Sequence, residues 1–267
     1  MKTQSMVHPS TAKAAPAPNQ CLILAAGYGR RLMTASGGSP KPLVQLQGKS
    51  LLEHVIFGAH RAGITDFVVV IGYEADLMRR WFAGHSFPGI SVTIVGNSEY
   101  DKDNGVSVLK ARNYLRDNFL LLMADHVFET STACALLHER IAPDEVILAV
   151  DPKIDRVFDL DDATKVERRG DRIVAIGKQL KRYDAFDTGM FLCTPNLFKV
   201  LDRAKIGGNC SLSDGMRLLG QSGKLRAFDI GDATWQDVDT PEALAYAEAT
   251  FSAQFCGVAS AERELRA

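Results

Sequence analysis

What this 267-residue chain lacks excludes several classes of protein. No apolar run approaches the roughly 20 residues that span a bilayer, so membrane insertion is not expected. Neither sign of charge dominates: 31 Lys and Arg stand against 32 Asp and Glu, and bulk charge would hold no nucleic acid or lipid surface. The cysteines, Cys21, Cys134, Cys193, Cys210 and Cys256, are scattered without a C-x-x-C pair. That spacing predicts buried reduced thiols rather than a zinc site or a disulfide frame. The stretch before Cys21 has no apolar h-region, and its Ala, Pro, Ser and Thr content predicts a disordered leader over 1–19 and a cytoplasmic protein. Missing too are a Ser-His-Asp or Cys-His set, a D-x-D after the fourth apolar run, the third glycine of a dinucleotide fingerprint and the GK[ST] of a P-loop.

The pattern that is present is an alternation of short apolar runs with helix-like segments. "CLILAA", "DFVVVIG", "ISVTIVG", "NFLLLMAD" and "EVILAV" read as strands apolar on both faces. Between them lie "SLLEHVIFGAHRAG", with Ser50 and Glu53 spaced as a capping box, "EADLMRRWFAG", "GVSVLKARNYLRD" and "TSTACALLHERI". Past Asp151 the texture changes. "TKVERRG" and "DRIVAIGK" face each other across Gly170-Asp171 as a hairpin, and "FDTGMFLC" and "KLRAFDIG" add strands. Thr240 and Pro241 open a last helix. The expectation is one α/β domain over 20–255: a Rossmann-like mixed, mainly parallel sheet flanked by helices, with 256–267 as a tail.

Three loops carry candidate chemistry. "LILAAGYGRRL" leaves a strand through Gly27 and Gly29 and meets Arg30 and Arg31 at once; alone it is either a plain turn or a phosphate loop. "SGGSPKPL" fixes Lys41 between two prolines. Both loops should lie at the carboxyl edge of the first strand, where open α/β sheets bind ligands. Glycine N–H groups, Arg31 and Lys41 together could hold a triphosphate. "MADHVF" puts Asp125 at the end of a buried strand, costly unless paired or metal-bound, and "WQDVDT" offers Asp237 and Asp239. Alternation along that strand is taken to turn only one of the two toward Asp125. Two such carboxylates suit Mg²⁺, although a single Asp at such a place is more readily a cap or turn former.

The order of "LILAAGYGRRL", "PKPL", "DNGVSVLKA", "MADHVF", "IGK", "DTGMF" and "WQDVDT" resembles nucleotidyltransferases that couple an NTP to a phosphorylated alcohol or sugar. "ATKVERRGDRIVAIGKQLKRYDAFDTGMF" and the Asp125-His126 pair resemble the CTP:inositol-1-phosphate cytidylyltransferase family. Arg30 stands where many relatives have Thr, and Ala124 where Gly is frequent. The resemblance implies a GT-A-like fold, with a CTP-binding part over about 20–150 and an acceptor-binding part over about 151–240. It implies nucleotide contacts at Ala25, Ala26, Gly27, Gly29, Asn104, Gly105 and Ser107, and catalytic cations at Arg31, Lys41 and Lys178. Lys178 would bind the acceptor phosphate, beside His126, Asp187, Thr188 and Gly189. Asp125 and Asp237 would hold Mg²⁺, Asp237 being preferred to Asp239. His126 is read either as a pocket hydrogen-bonder or as a strand-end residue satisfied by its neighbours. The implied partners are CTP and a phosphorylated alcohol, with a functional link to a separate membrane-bound CDP-alcohol transferase. A phosphocholine or sugar 1-phosphate enzyme is the nearest rival. The former would favour an aromatic cage, which Tyr73, Tyr100, Phe158 and Tyr183 do not readily compose. A non-catalytic nucleotide sensor is disfavoured by the joint presence of Lys41, Asp125, Lys178 and Asp237.

Overall fold

A computed structural model of the chain describes residues 17–33, 38–156 and 163–264. Phe158 and most of the expected leader lie outside the described residues. In chain order the elements are β1 (Gln20–Ala25), α1 (Arg30–Met33), β2 (Gln45–Leu46), β3 (Lys49–Ser50), α2 (Leu51–Arg61), β4 (Asp66–Ile71), α3 (Ala75–Ala83), β5 (Ser91–Gly96) and α4 (Asn104–Lys110). Then come β6 (Phe119–Met123), β7 (His126–Phe128), α5 (Thr130–Leu137), β8 (Val146–Asp151), β9 (Lys165–Arg169), β10 (Arg172–Gly177) and β11 (Ala185–Cys193). The chain closes with α6 (Asn196–Ala204), α7 (Leu212–Gln221), β12 (Leu225–Asp229), β13 (Trp235–Asp237) and α8 (Pro241–Glu264). The last helix therefore runs on through most of the segment read as a tail.

Among the described residues, nine strands form one sheet in the order β5-β4-β1-β6-β11-β8-β12-β10-β9. Its first four strands are parallel, and β12 runs parallel to β8. The α/β class and the mixed sheet match the sequence pattern. One detail differs: β8 does not continue the parallel set directly, because β11 inserts antiparallel between β6 and β8. Apolarity on both faces says that a strand is central but not which neighbour it takes.

The sheet is covered on both sides, and the side-chain period of two along β1 divides the core. Leu22 and Leu24 pack with α4, α6 and α7 residues such as Val108, Leu201 and Met216. Cys21, Ile23 and Ala25 pack with α2 and α5 residues such as Val55, Ile56 and Leu136. A smaller third cluster, including Leu46, Leu51, Val127, Val238 and Phe251, seats α8. The capping box at Ser50 and Glu53 opens α2, and the hairpin turns at Gly170. The helix predicted over 105–117 is shorter. It ends at Lys110, and a single turn over Arg112–Tyr114 then brings Leu115, 2% exposed, into the core and leaves Tyr114 half exposed.

Candidate functional site

The site sits at the carboxyl edge of β1 and β6 and is assembled by a small ladder. β7 pairs antiparallel with β13, placing Asp237 directly opposite His126. The Val238 N–H donates to the Asp125 carbonyl at 3.0 Å, tying the two acidic strand ends together. Lys41 joins them from the Pro40–Pro42 turn. Only 5% of Lys41 is exposed, and its Nζ pairs with Asp125 and Asp239, and with Asp237 at 3.5 Å. A rigid proline turn that could have left a solvated lysine instead buries one.

Gly29 makes that burial possible. It takes φ +58°, and a Cβ there would lie 2.3 Å from the Lys41 Cβ. Gly27 faces open space. Ala25 and Ala26 are buried, and the Ala26 carbonyl accepts from the Tyr73 N–H. Arg31 reaches Asp239 at 2.5 Å, and Arg30 lies over the Tyr28 ring.

Asp239 requires a correction to the strand-alternation reading. Residues i and i+2 of an extended chain share a face. Asp237 and Asp239 accordingly both turn to Lys41, while Val238 between them is fully buried in the third cluster. Asp239 also links Lys41 to Arg31, so it is a site residue that the sequence reading set aside.

The electrostatics follow from this crowding. Burial would lower the Lys41 pKa, but Asp125, Asp237 and Asp239 outweigh it and raise it well above the usual lysine value. Burial likewise opposes charge on His126, yet Asp237 and Asp125 push its pKa up to about 10. Burial would raise Asp237; His126 and Lys41 instead hold it well below the carboxylate range. Asp239 is raised by burial and by the adjacent Asp237 charge.

A cavity of about 400 Å³ opens beside this cluster. Asp125, His126, Lys178, Asp187, Gly189 and Asp237 line it, as does Asn104. Burial pushes Asp187 up to about 6, against the pull of the Gly189 N–H and His126. The cavity edge is braced by Asp151, which accepts from Trp235 Nε1 at 2.9 Å and pairs with Lys153 at 2.7 Å. Lys153 also donates to the Gly231 and Ala233 carbonyls, pinning the loop that leads to β13.

Not every residue singled out in the sequence presents its side chain to this cavity. The Thr188 hydroxyl is buried and donates to the Ala149 carbonyl; only its own carbonyl turns to His126. Ser107 is 5% exposed and accepts from Asn97, and a Cβ on Gly105 would meet the Cys210 carbonyl at 2.6 Å. Gly105 packs α4 against the start of α7, where the Asn104 side-chain oxygen accepts from the Leu212 N–H, while Ser107 ties α4 to Asn97 after β5. The smallness of Gly105 is thus used for helix packing. Tyr73 and Tyr100 meet Tyr28 at 5.0 and 5.4 Å, whereas Tyr183 packs on Phe186.

A buried lysine held among carboxylates, a glycine loop at a sheet's carboxyl edge and an adjoining polar cavity define a nucleotidyltransferase site on a GT-A-like fold. The model of the MobA-like NTP transferase domain matches residues 21–197, and the chain belongs to that family. It is 36% identical over 230 residues to the bifunctional IPC transferase and DIPP synthase of Rubrobacter xylanophilus, covering 85% of this chain and 50% of that protein. The protein of the same name from Thermococcus kodakarensis is 32% identical, covering 85% and 49%. The chain thus spans about half the length of these curated relatives. Among solved structures, the inositol-1-phosphate CTP transferase of T. maritima superposes with a TM-score of 0.76 at 26% identity, covering 85% of this chain and 92% of that one.

Nucleotidyltransferases of this family generally use a divalent metal, and the donor set here fits one. Among the described residues, Asp125, His126 and Asp237 form a group whose ligand atoms all lie within 4.8 Å of one another. No helix among the described residues is long and apolar enough to cross a membrane.

Proposed function

We propose that this chain transfers CMP from CTP to a phosphorylated alcohol, inositol 1-phosphate, releasing pyrophosphate and forming CDP-inositol, with Mg²⁺ bound by Asp125 and Asp237. The observation that carries the reading is the convergence of Lys41, Asp125 and Asp237 at the mouth of a cavity that also holds Lys178 and Asp187. The names of the relatives support the choice of CTP and inositol phosphate.

The reaction joins two anions, so neutralising and aligning charge is the main task. The acceptor phosphate is already ionised near neutral pH and needs no general base; one of its oxygens attacks the α-phosphorus and pyrophosphate departs. Gly27 and Gly29 let the triphosphate approach the backbone. Lys41 and Arg31 take up the charge of the triphosphate and of the leaving pyrophosphate, which requires them to loosen from Asp239. Lys178 holds the acceptor phosphate. Asp187 accepts hydrogen bonds from acceptor hydroxyls. When bound, the metal supplies Lewis-acid stabilisation of charge on the transferring phosphoryl group. The reading places this chemistry in the cytoplasm and passes the CDP-linked product to a membrane-bound CDP-alcohol transferase.

The test is a pyrophosphate-release screen that crosses the four NTPs with inositol 1-phosphate, phosphocholine and glucose 1-phosphate. Release should peak for CTP with inositol 1-phosphate. A maximum with phosphocholine or glucose 1-phosphate would replace the acceptor, and no release with any pair would overturn the enzymatic reading.

A further inference from the structure

His126 is held by more than its position in β7. Its Nδ1 lies 2.8 Å from the Thr188 carbonyl oxygen. A carbonyl only accepts, so Nδ1 carries a hydrogen in either protonation state, and Nε2 points to the opposite side, where a bound cation would take the place of the proton that the carboxylates otherwise hold there. Room for the ring comes from Gly189, which has φ +74° in the irregular stretch of β11; a Cβ there would lie 2.2 Å from Nδ1. The backbone of β11 thus fixes both the tautomer and the direction of the imidazole.

That direction is toward two carboxylates. Nε2 lies 3.7 Å from Asp125 Oδ1 and 3.5 Å from Asp237 Oδ2. These separations exceed ordinary hydrogen bonds of about 2.7–3.2 Å. They match the spacing of neighbouring ligands in a common coordination sphere: with bonds of about 2.1 Å, two donors at about 90–125° stand about 3.0–3.7 Å apart. Lys41 pairs with the other oxygen of each carboxylate, Asp125 Oδ2 and Asp237 Oδ1. Each acid is therefore shared, with one oxygen toward the lysine and one toward the imidazole.

We infer that His126 Nε2 is a direct ligand of the divalent cation, oriented by the Thr188 carbonyl, so that this centre is a two-carboxylate, one-imidazole site. Gly189 then serves the metal by leaving space for the ring, and the Thr188 backbone acts as the outer partner that ligating histidines ordinarily have. A nitrogen donor favours Mn²⁺ and Co²⁺ over Mg²⁺ more than oxygens alone would. The inference rests on the metal-dependent reading above, but it is tested without turnover.

The experiment is pulsed electron paramagnetic resonance on Mn²⁺ bound to the full chain grown with ¹⁵N-histidine, recorded with Mn²⁺ alone and with Mn²⁺ plus CTP. A directly bonded ¹⁵N coupling is expected in at least one sample. It should vanish in His126→Gln, with Mn²⁺ affinity down about tenfold or more. Gly189→Ala retains the imidazole but displaces it, and should weaken Mn²⁺ binding while leaving Mg²⁺ binding less affected. Absence of a histidine coupling from wild-type protein in both samples overturns the assignment even if CDP-inositol is formed. A coupling in a protein that makes no CDP-inositol would leave the ligand intact and remove only the substrate reading.

Discussion

Replacing Lys41 by Met removes the charge at the centre of the cluster while keeping most of the aliphatic stem that packs on Gly29. Asp125, Asp237 and Asp239 would then face one another without their common counter-ion. Breaking a fully buried pair costs about 3–5 kcal/mol. Here the three carboxylates keep 25%, 35% and 24% of their side-chain surface, so water takes up part of the loss and about 2 kcal/mol is expected. For a chain of this size that lowers Tm by roughly 4–8 °C. The loss should be unusual in its dependence on cations: millimolar Mg²⁺ or Mn²⁺ should restore more stability to Lys41→Met than to wild type, because a cation can replace the missing charge. Activity should not recover with it. Losing a donor to the developing pyrophosphate costs about 2.7–4 kcal/mol, roughly 10²–10³ in rate. Differential scanning calorimetry with and without Mg²⁺, beside pyrophosphate release, reads both effects. A variant with wild-type Tm and turnover would refute the reasoning.

Further outcomes follow from the same geometry. Lys178→Ala should leave CTP binding by calorimetry intact while raising the acceptor KM about 10- to 100-fold, the loss of one charge-assisted contact; abolished CTP binding in a folded variant would move Lys178 to the nucleotide side. Gly27→Ala, in open space, should keep its Tm and lose CTP affinity, whereas Gly29→Ala, at positive φ against Lys41, should lose both. Trp235→Phe removes the donor to Asp151 and should cost about 1–3 kcal/mol in denaturant unfolding; an unchanged midpoint would show that Lys153 alone satisfies Asp151. Burial would raise Glu145, but its bond to Arg172 holds the carboxyl below its usual value. A depressed carboxylate stabilises fully above its unfolded pKa, about 4.3, and that contribution fades as pH falls through the folded value, so Arg172→Gln should flatten stability against pH below about 5.

The parts of the fold that sequence made legible were those set by local chemistry. Two-sided apolar runs, the Ser50–Glu53 box and the Gly170-Asp171 turn each depend on neighbouring residues alone. The placement of β11 between β6 and β8 depends on which strand edge is left to pair, which no periodicity encodes. The site divides in the same way. Gly29, Lys41, Asp125 and Asp237 sit in short motifs, and the fold brings Lys41 and both carboxylates together. Alternation is read as admitting only one of Asp237 and Asp239, which the period of two contradicts, and the family resemblance then selects Asp237. The packing role of Gly105 arises from the chain at Cys210 and Ser211, about 100 residues downstream, so its own segment carried no sign of it. His126 could be noticed as an Asp-His pair, but the carbonyl that orients it comes from Thr188 across the sheet.

The central claim is that an acceptor phosphate oxygen displaces pyrophosphate from CTP at this site. The direct measurement is ³¹P NMR on CTP, Mg²⁺ and inositol 1-phosphate labelled with ¹⁸O in the non-bridging phosphate oxygens. The account predicts an inositol-linked diphosphate with ¹⁸O in the new P–O–P bridge and pyrophosphate free of label, both lost in Asp125→Asn. Labelled pyrophosphate, CMP without a diphosphate product, or undiminished transfer by Asp125→Asn would contradict it.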